Sequence, residues 1–149
     1  REGISGAFAL PEAGARGRKL AERVLEGVGK VLWLVREDLL DAVTGVSGSG
    51  PAYVLYFLEG LEAAAQELGF TKTEARTLAY STFAGTIKLA SGSELEPAIL
   101  RAQVTSKGGT TERAIGLLEA DAVKSRFVAA VKAAAVRAKE LGDALGAVD

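Results

Sequence analysis

Residues 50–68 and 72–90 carry two consecutive helical patterns whose apolar and small side chains run around much of each circumference. Val54, Leu55, Leu58, Leu61, Ala65 and Leu68 mark the faces of the first; Ala75, Leu78, Ala79, Phe83 and Ile87 mark the second. A surface helix needs only one apolar stripe, with polar residues opposite. Two neighbouring helices covered this widely must be buried on more than one side, and a chain of 149 residues has little else to lay over them. A second copy would supply the cover, so the pattern predicts a homodimer.

The rest of the chain divides around residue 37. Before it, the apolar run ISGAFAL ends at Pro11, ARGRKLAERVLEGV places Leu20, Val24, Leu25 and Val28 at helical spacing, and KVLWLV is rich in strand formers. Gly29 is a candidate cap at the end of that helix. Strand, helix and strand in so short a span read as one edge of an α/β layer, too small to cover both faces of a sheet. After residue 37 nearly everything is helix. DLLDAVTG leads into the turn GVSGSGPAY, where Ser49 or Gly50 is placed to cap and Pro51 suits the first helical turn. Thr71-Lys72-Thr73-Glu74 has the spacing of a capping box. A shorter helix follows Glu96-Pro97 with Ile99 and Leu100 expected to face inward, and Asp121 is expected to cap a last helix running to about Leu141. The fold class expected is mainly α, a helical bundle preceded by a short β-α-β remnant of a Rossmann-like domain.

Several chemistries are excluded by absent residue types. With no histidine and no cysteine, the chain lacks the commonest general base, the commonest metal ligands and any disulfide, and no metal site is expected. A formal net charge of -1 and the lack of any lysine-arginine run give no reason to expect nucleic acid or an anionic membrane as partner. No apolar run is long enough to span a bilayer, and REGIS does not open a signal peptide, so a cytoplasmic location is expected. There is no methionine, even at position 1, which makes a fragment or a partly represented chain the expectation.

Two glycine-rich turns are the candidates for function. In SGSGPAY (47–53), small residues ahead of Pro51 let a ligand approach the backbone, and a helix start favours an anion. An ordinary cap with flexible glycines explains the same pattern. In VTSKGGTTERA (104–114), Gly108 and Gly109 permit a tight turn, and Thr110 or Thr111 can cap the helix that follows. The free amides of that first turn, with the hydroxyls of Thr105, Ser106, Thr110 and Thr111, suit a carboxylate or phosphate without needing a histidine. Lys107 adds positive charge or points to water. A plain turn between helices is the competing reading. The spacing GxxxxGK[ST] is absent, so this is no nucleotide phosphate loop. Glu94, in the polar stretch SGSELEP, reads on its own as a solvated acid. Ser49 has no base partner in the sequence, so a catalytic triad has no support.

Beyond these local patterns, VTGVSGSGPAYVLYFLEGLEAAAQELGF and QVTSKGGTTERAIGLLE resemble the C-terminal part of pyrroline-5-carboxylate reductase, and the likeness runs from GISGAFAL to the last helix. The resemblance implies NADPH-dependent reduction of 1-pyrroline-5-carboxylate to L-proline, with NADH as the alternative cofactor. It implies a dinucleotide-binding tail at 1–37 and a helical substrate-binding domain at 38–149 that forms an intertwined homodimer, in some members a higher oligomer. The substrate carboxylate would be held by Ser106, Gly108, Gly109, Thr110 and Thr111. Glu94 would lie near the ring nitrogen, and Glu94 and Thr111 would act in catalysis. Ser49, Gly50 and Pro51 would face the nicotinamide. Lys107 stands where the family usually has proline, and Glu96-Pro97 where it commonly has a histidine-proline pair. The sequence has no GxGxxG pyrophosphate loop. A helical dimerisation module without activity of its own is therefore the competing expectation.

Overall fold

The computed structural model describes residues 3–147. Among these, a strand, a helix and a second strand come first and helices follow: β1 (Gly3–Ala7), α1 (Gly14–Leu25), β2 (Gly29–Trp33), α2 (Leu39–Val43), α3 (Gly50–Glu67), α4 (Lys72–Ser91), α5 (Pro97–Gln103), α6 (Thr110–Ala120) and α7 (Val123–Gly146). The chain is mainly α, as its patterning predicts. It packs as two compact units, one of the described residues up to Pro51 with those from Val128 onward, the other Ala52–Phe127.

In the first unit, β1 and β2 pair in parallel, from Gly3 opposite Gly29 to Ala7 opposite Trp33. Parallel strands cannot be joined by a hairpin turn, so α1 forms the crossover between them. Trp33 ties that helix to the sheet. Its indole Nε1 donates to Glu22 Oε1 at 3.0 Å, and the Arg18 guanidinium lies 4.3 Å from the ring centroid. A cation over an aromatic face of this kind contributes about 0.5–1 kcal/mol. Gly29 opens β2, and the end of α1 is closed instead at Glu26, whose amide donates to Glu22.

After α2 the helix widens into a π-helical turn at Thr44–Gly48, closed by Ser49 N–H donating to the Thr44 carbonyl at 2.9 Å. Gly45 within it is buried against α7. A Cβ at this position would sit 2.8 Å from the backbone nitrogen of Ala135 and 2.9 Å from its Cα, a gap only glycine fits.

The second unit begins with α3 and α4. Leu58 and Ala65 on α3, and Ala75 and Ala79 on α4, are the hydrophobic residues buried among those described. Tyr53 and Phe57 pack edge-on against Phe127 at centroid separations of 5.6 and 5.5 Å. Phe83 is half-buried, and most of the other large side chains of these helices stay exposed. Tyr56 is 73% exposed, Ile87 63% and Leu55 52%. Ile99, expected to face inward, is also exposed, because α5 is one short helix whose half-buried position is Leu100.

The capping box at the start of α4 is complete. Thr71 Oγ1 accepts from Glu74 N–H, and the Glu74 carboxylate accepts from the Thr71 amide at 2.9 Å and from its hydroxyl at 2.6 Å. The Thr71 hydroxyl and then its amide hold Glu74 below the ordinary glutamate range. A lowered folded pKa makes the box's contribution complete above the unfolded value and lost as pH falls through the folded one. Amide-exchange protection in the first turn of α4 is expected to drop across that acidic window and to stay flat there in Glu74→Gln. Protection that does not change with pH in the parent protein contradicts this.

At the other junction, Asp121 does not cap α7. It closes α6, its amide donating to Leu117 O at 3.0 Å, and Ala122 makes the corner at a φ of 55°.

Candidate functional site

The turn between α5 and α6 is the part of the second unit best equipped to take an anion. α5 ends where Val104 N–H and Thr105 N–H donate back to Arg101 and Ala102. Thr105 Oγ1 also donates back, to Arg101 O at 2.7 Å, so this hydroxyl is used in closing the helix. The chain then doubles back, with Gly109 N–H donating to Ser106 O at 3.0 Å and Gly108 at a φ of 73°. That φ lies in the left-handed region, where a side chain would be strained. Gly109 has a different reason to be glycine. A Cβ there would meet Ser106 Oγ at 2.5 Å, so the missing side chain makes room for the serine.

α6 starts at Thr110 with Gly109 as its N-cap, and neither threonine hydroxyl caps it. Glu112 does related work from the third helical position. Its carboxylate accepts from Gly108 N–H at 2.7 Å, one residue further back than a capping box reaches, because the Gly109 amide is already bonded to Ser106. The amides of Thr110, Thr111 and Glu112 have no acceptor within the helix, as the first turn of any helix requires. Among the described residues, the hydroxyls of Ser106, Thr110 and Thr111 are also unbonded, and Lys107 has no ion pair. Thr111 is half-buried, while Ser106, Lys107 and Thr110 are exposed. Donors with few acceptors are thus gathered at the positive end of an eleven-residue helix.

Below the turn, α5 and α6 wall an open groove of about 320 Å³, lined by Arg101, Thr105, Glu112, Ile115 and Glu119 among others. An Arg101–Glu119 ion pair at 3.1 Å joins its two walls. Glu94 does not line this groove. It stands exposed in the connection between α4 and α5, beside Ser93, whose Oγ accepts from Leu95 N–H at 3.1 Å.

Ser49, Gly50 and Pro51 belong to the other compact unit. They follow the π-helical turn directly, and Pro51 falls at the second position of α3, where its missing N–H costs nothing. A Cβ on Gly50 would meet nothing within 4 Å, so this face of the turn is open. Among the described residues, no group of acidic side chains is arranged to hold a metal ion, and no helix is long and apolar enough to cross a membrane.

A family profile described as pyrroline-5-carboxylate reductase dimerisation matches residues 37–141. The chain belongs to the pyrroline-5-carboxylate reductase family. Among its relatives is the pyrroline-5-carboxylate reductase of Pseudomonas aeruginosa, 40% identical over 146 residues, a match covering 98% of this chain and 54% of that protein. A solved structure of the Coxiella burnetii reductase superposes with a TM-score of 0.87 at 41% identity, over 94% of this chain and 52% of that one. The Plasmodium falciparum family member, solved with NADP bound, gives a TM-score of 0.87 at 26% identity, over 95% and 57%. The chain therefore spans about half the length of the relatives it matches.

Sequence reasoning missed one member of this turn. The local pattern alone does not single out Glu112, although an acid three positions after Gly109 stands where a capping-box acid would. Taking Gly109 as the N-cap, instead of Thr110 or Thr111, exposes that spacing.

Proposed function

We propose that this chain supplies the substrate site and the dimer interface of an enzyme reducing 1-pyrroline-5-carboxylate to L-proline. In this reading residues 38–149 are the helical domain and residues 1–37 the tail of a dinucleotide-binding domain. The observation that carries it is the start of α6, where the free amides of Thr110 and Thr111 meet unbonded hydroxyls in a chain of this family.

The substrate is a small cyclic imine bearing one carboxylate. Thr110 and Thr111 hold that carboxylate by amide and hydroxyl donors, Ser106 adds a hydroxyl, and Gly108 and Gly109 give the turn the path that brings these donors together. The helix dipole contributes about 0.3–2 kcal/mol to such a contact. Hydrogen bonds to a charged group contribute about 1.5–3 kcal/mol each. The bonds therefore outweigh the dipole, and the residues that make them set the affinity. This reading assigns Glu94, which stands outside the groove, to the ring-nitrogen side, where a carboxylate would favour the protonated imine. No histidine is needed, because the imine can arrive protonated and the protein's task is to orient it and keep water away.

In this reading Ser49, Gly50 and Pro51 face the nicotinamide, and the open space beside Gly50 supports a flat group lying against the turn. The NADP held by the Plasmodium falciparum relative supports this choice of cofactor, and NADH remains the alternative. When bound, the cofactor supplies hydride to the imine carbon. A second reading, a helical dimerisation module without activity of its own, is favoured by the family profile described as pyrroline-5-carboxylate reductase dimerisation.

Thr111→Val tests the site in the two-domain enzyme. The expected result is a rise in KM for the imine acid of roughly tenfold, corresponding to one lost charged hydrogen bond, with cofactor affinity unchanged. Parent kinetics in the variant remove Thr111 from the site.

A further inference from the structure

The geometry points to Glu112 as the positioning residue that holds the turn ready for a carboxylate, an inference that rests on the site proposed above. The turn is exposed and carries two adjacent glycines, one of them at a φ of 73°. Such a segment has much conformational freedom to lose, and a ligand that must order it binds correspondingly weakly. Two bonds oppose that freedom. Gly109 N–H donates to Ser106 O at 3.0 Å, closing the turn on itself. Gly108 N–H donates to Glu112 Oε2 at 2.7 Å, fastening the turn to the first turn of α6. Beyond the ordinary first helix bond, from Arg113 N–H to Gly109 O at 3.2 Å, only the second ties the glycines to the helix, and it is the shorter and charge-assisted one.

The placement of this carboxylate also matters. By reaching back to Gly108, Glu112 leaves the amides of Thr110 and Thr111 without an acceptor, so the tether fixes the loop without filling the place proposed for substrate. Glu112 brings a negative charge close to that place as well. Its tether and its charge therefore act on affinity in opposite directions, and substitutions separate them.

Glu112→Ala loses both, whereas Glu112→Gln keeps an acceptor oxygen for Gly108 and loses the charge. In the two-domain enzyme, Glu112→Ala is expected to raise KM for the imine acid by about fivefold, the size of a lost helix-start bond, with kcat and the cofactor's KM unmoved. Proline titrated calorimetrically should bind more weakly by the same factor. The Gly108 amide should exchange faster with solvent in Glu112→Ala, and Glu112→Gln should restore slow exchange with a KM at or below the parent's. A merely structural acid would lower thermal stability without moving KM or proline affinity. Parent values of both in Glu112→Ala, with Thr111→Val impaired, overturn the tether and leave the site standing. Parent values in both variants overturn the site itself.

Discussion

Leu55→Asp combined with Ile87→Asp is expected to abolish the homodimer proposed above. Both residues are bare in the single chain, on helices that bury few of their own large side chains. A family profile described by dimerisation covers both positions. In a two-fold assembly each substitution is present twice, so four carboxylates would have to enter an apolar interface. Burying an unpaired charge costs several kcal/mol even after the site relaxes. The sum exceeds about 5 kcal/mol, which weakens association by more than about a thousandfold. Sedimentation velocity at micromolar concentration should show monomer or aggregated, unfolded chain. An intact dimer of parent stability would mean that these faces of α3 and α4 are not the interface.

Gly45→Val should act on the other compact unit, and by sterics. The atoms a Cβ would meet are the backbone nitrogen and Cα of Ala135 at 2.8 and 2.9 Å, together with the Ala135 Cβ at 2.8 Å. A side chain in the way can rotate; the backbone of α7 cannot. Overpacking in a tight interior typically costs about 1–3 kcal/mol, and valine adds two methyls beyond the clashing carbon. Thermal melting should fall by on the order of 10 °C, or the protein should fail to accumulate in folded form. Gly142→Ala in the same helix is the control. A Cβ there meets nothing within 4 Å, and alanine is favoured over glycine in a helix by about 1 kcal/mol, so stability should hold or rise. Equal melting of Gly45→Val and the parent would show that α7 does not press on the π-helical turn.

How far the sequence reveals this structure depends on how local each cause is. The Thr71–Glu74 box is legible because all its partners lie within four consecutive residues. The strand-helix-strand start and the long helices are legible because their apolar spacing repeats. Asp121 misleads because an acid before an apolar helical run looks like an N-cap. The chain instead turns at Ala122, whose positive φ no glycine or asparagine announces. The π-helical turn at Thr44–Gly48 is equally silent. It inserts one extra residue into a helix and shows itself only through the Ser49-to-Thr44 bond. At the α6 turn the hydroxyls and glycines are visible in the sequence, whereas the order of bonding is not. Which amides remain free depends on Ser106 and Glu112 having taken those of Gly109 and Gly108 first.

Calorimetric titration of proline into the protein, run beside Thr111→Val, goes to the central proposal that the start of α6 receives a small organic acid. The account requires saturable uptake by the parent, one molecule per chain, and binding weaker by roughly tenfold in the variant. Absence of heat with both proline and the imine acid, or identical isotherms for the two proteins, would contradict it.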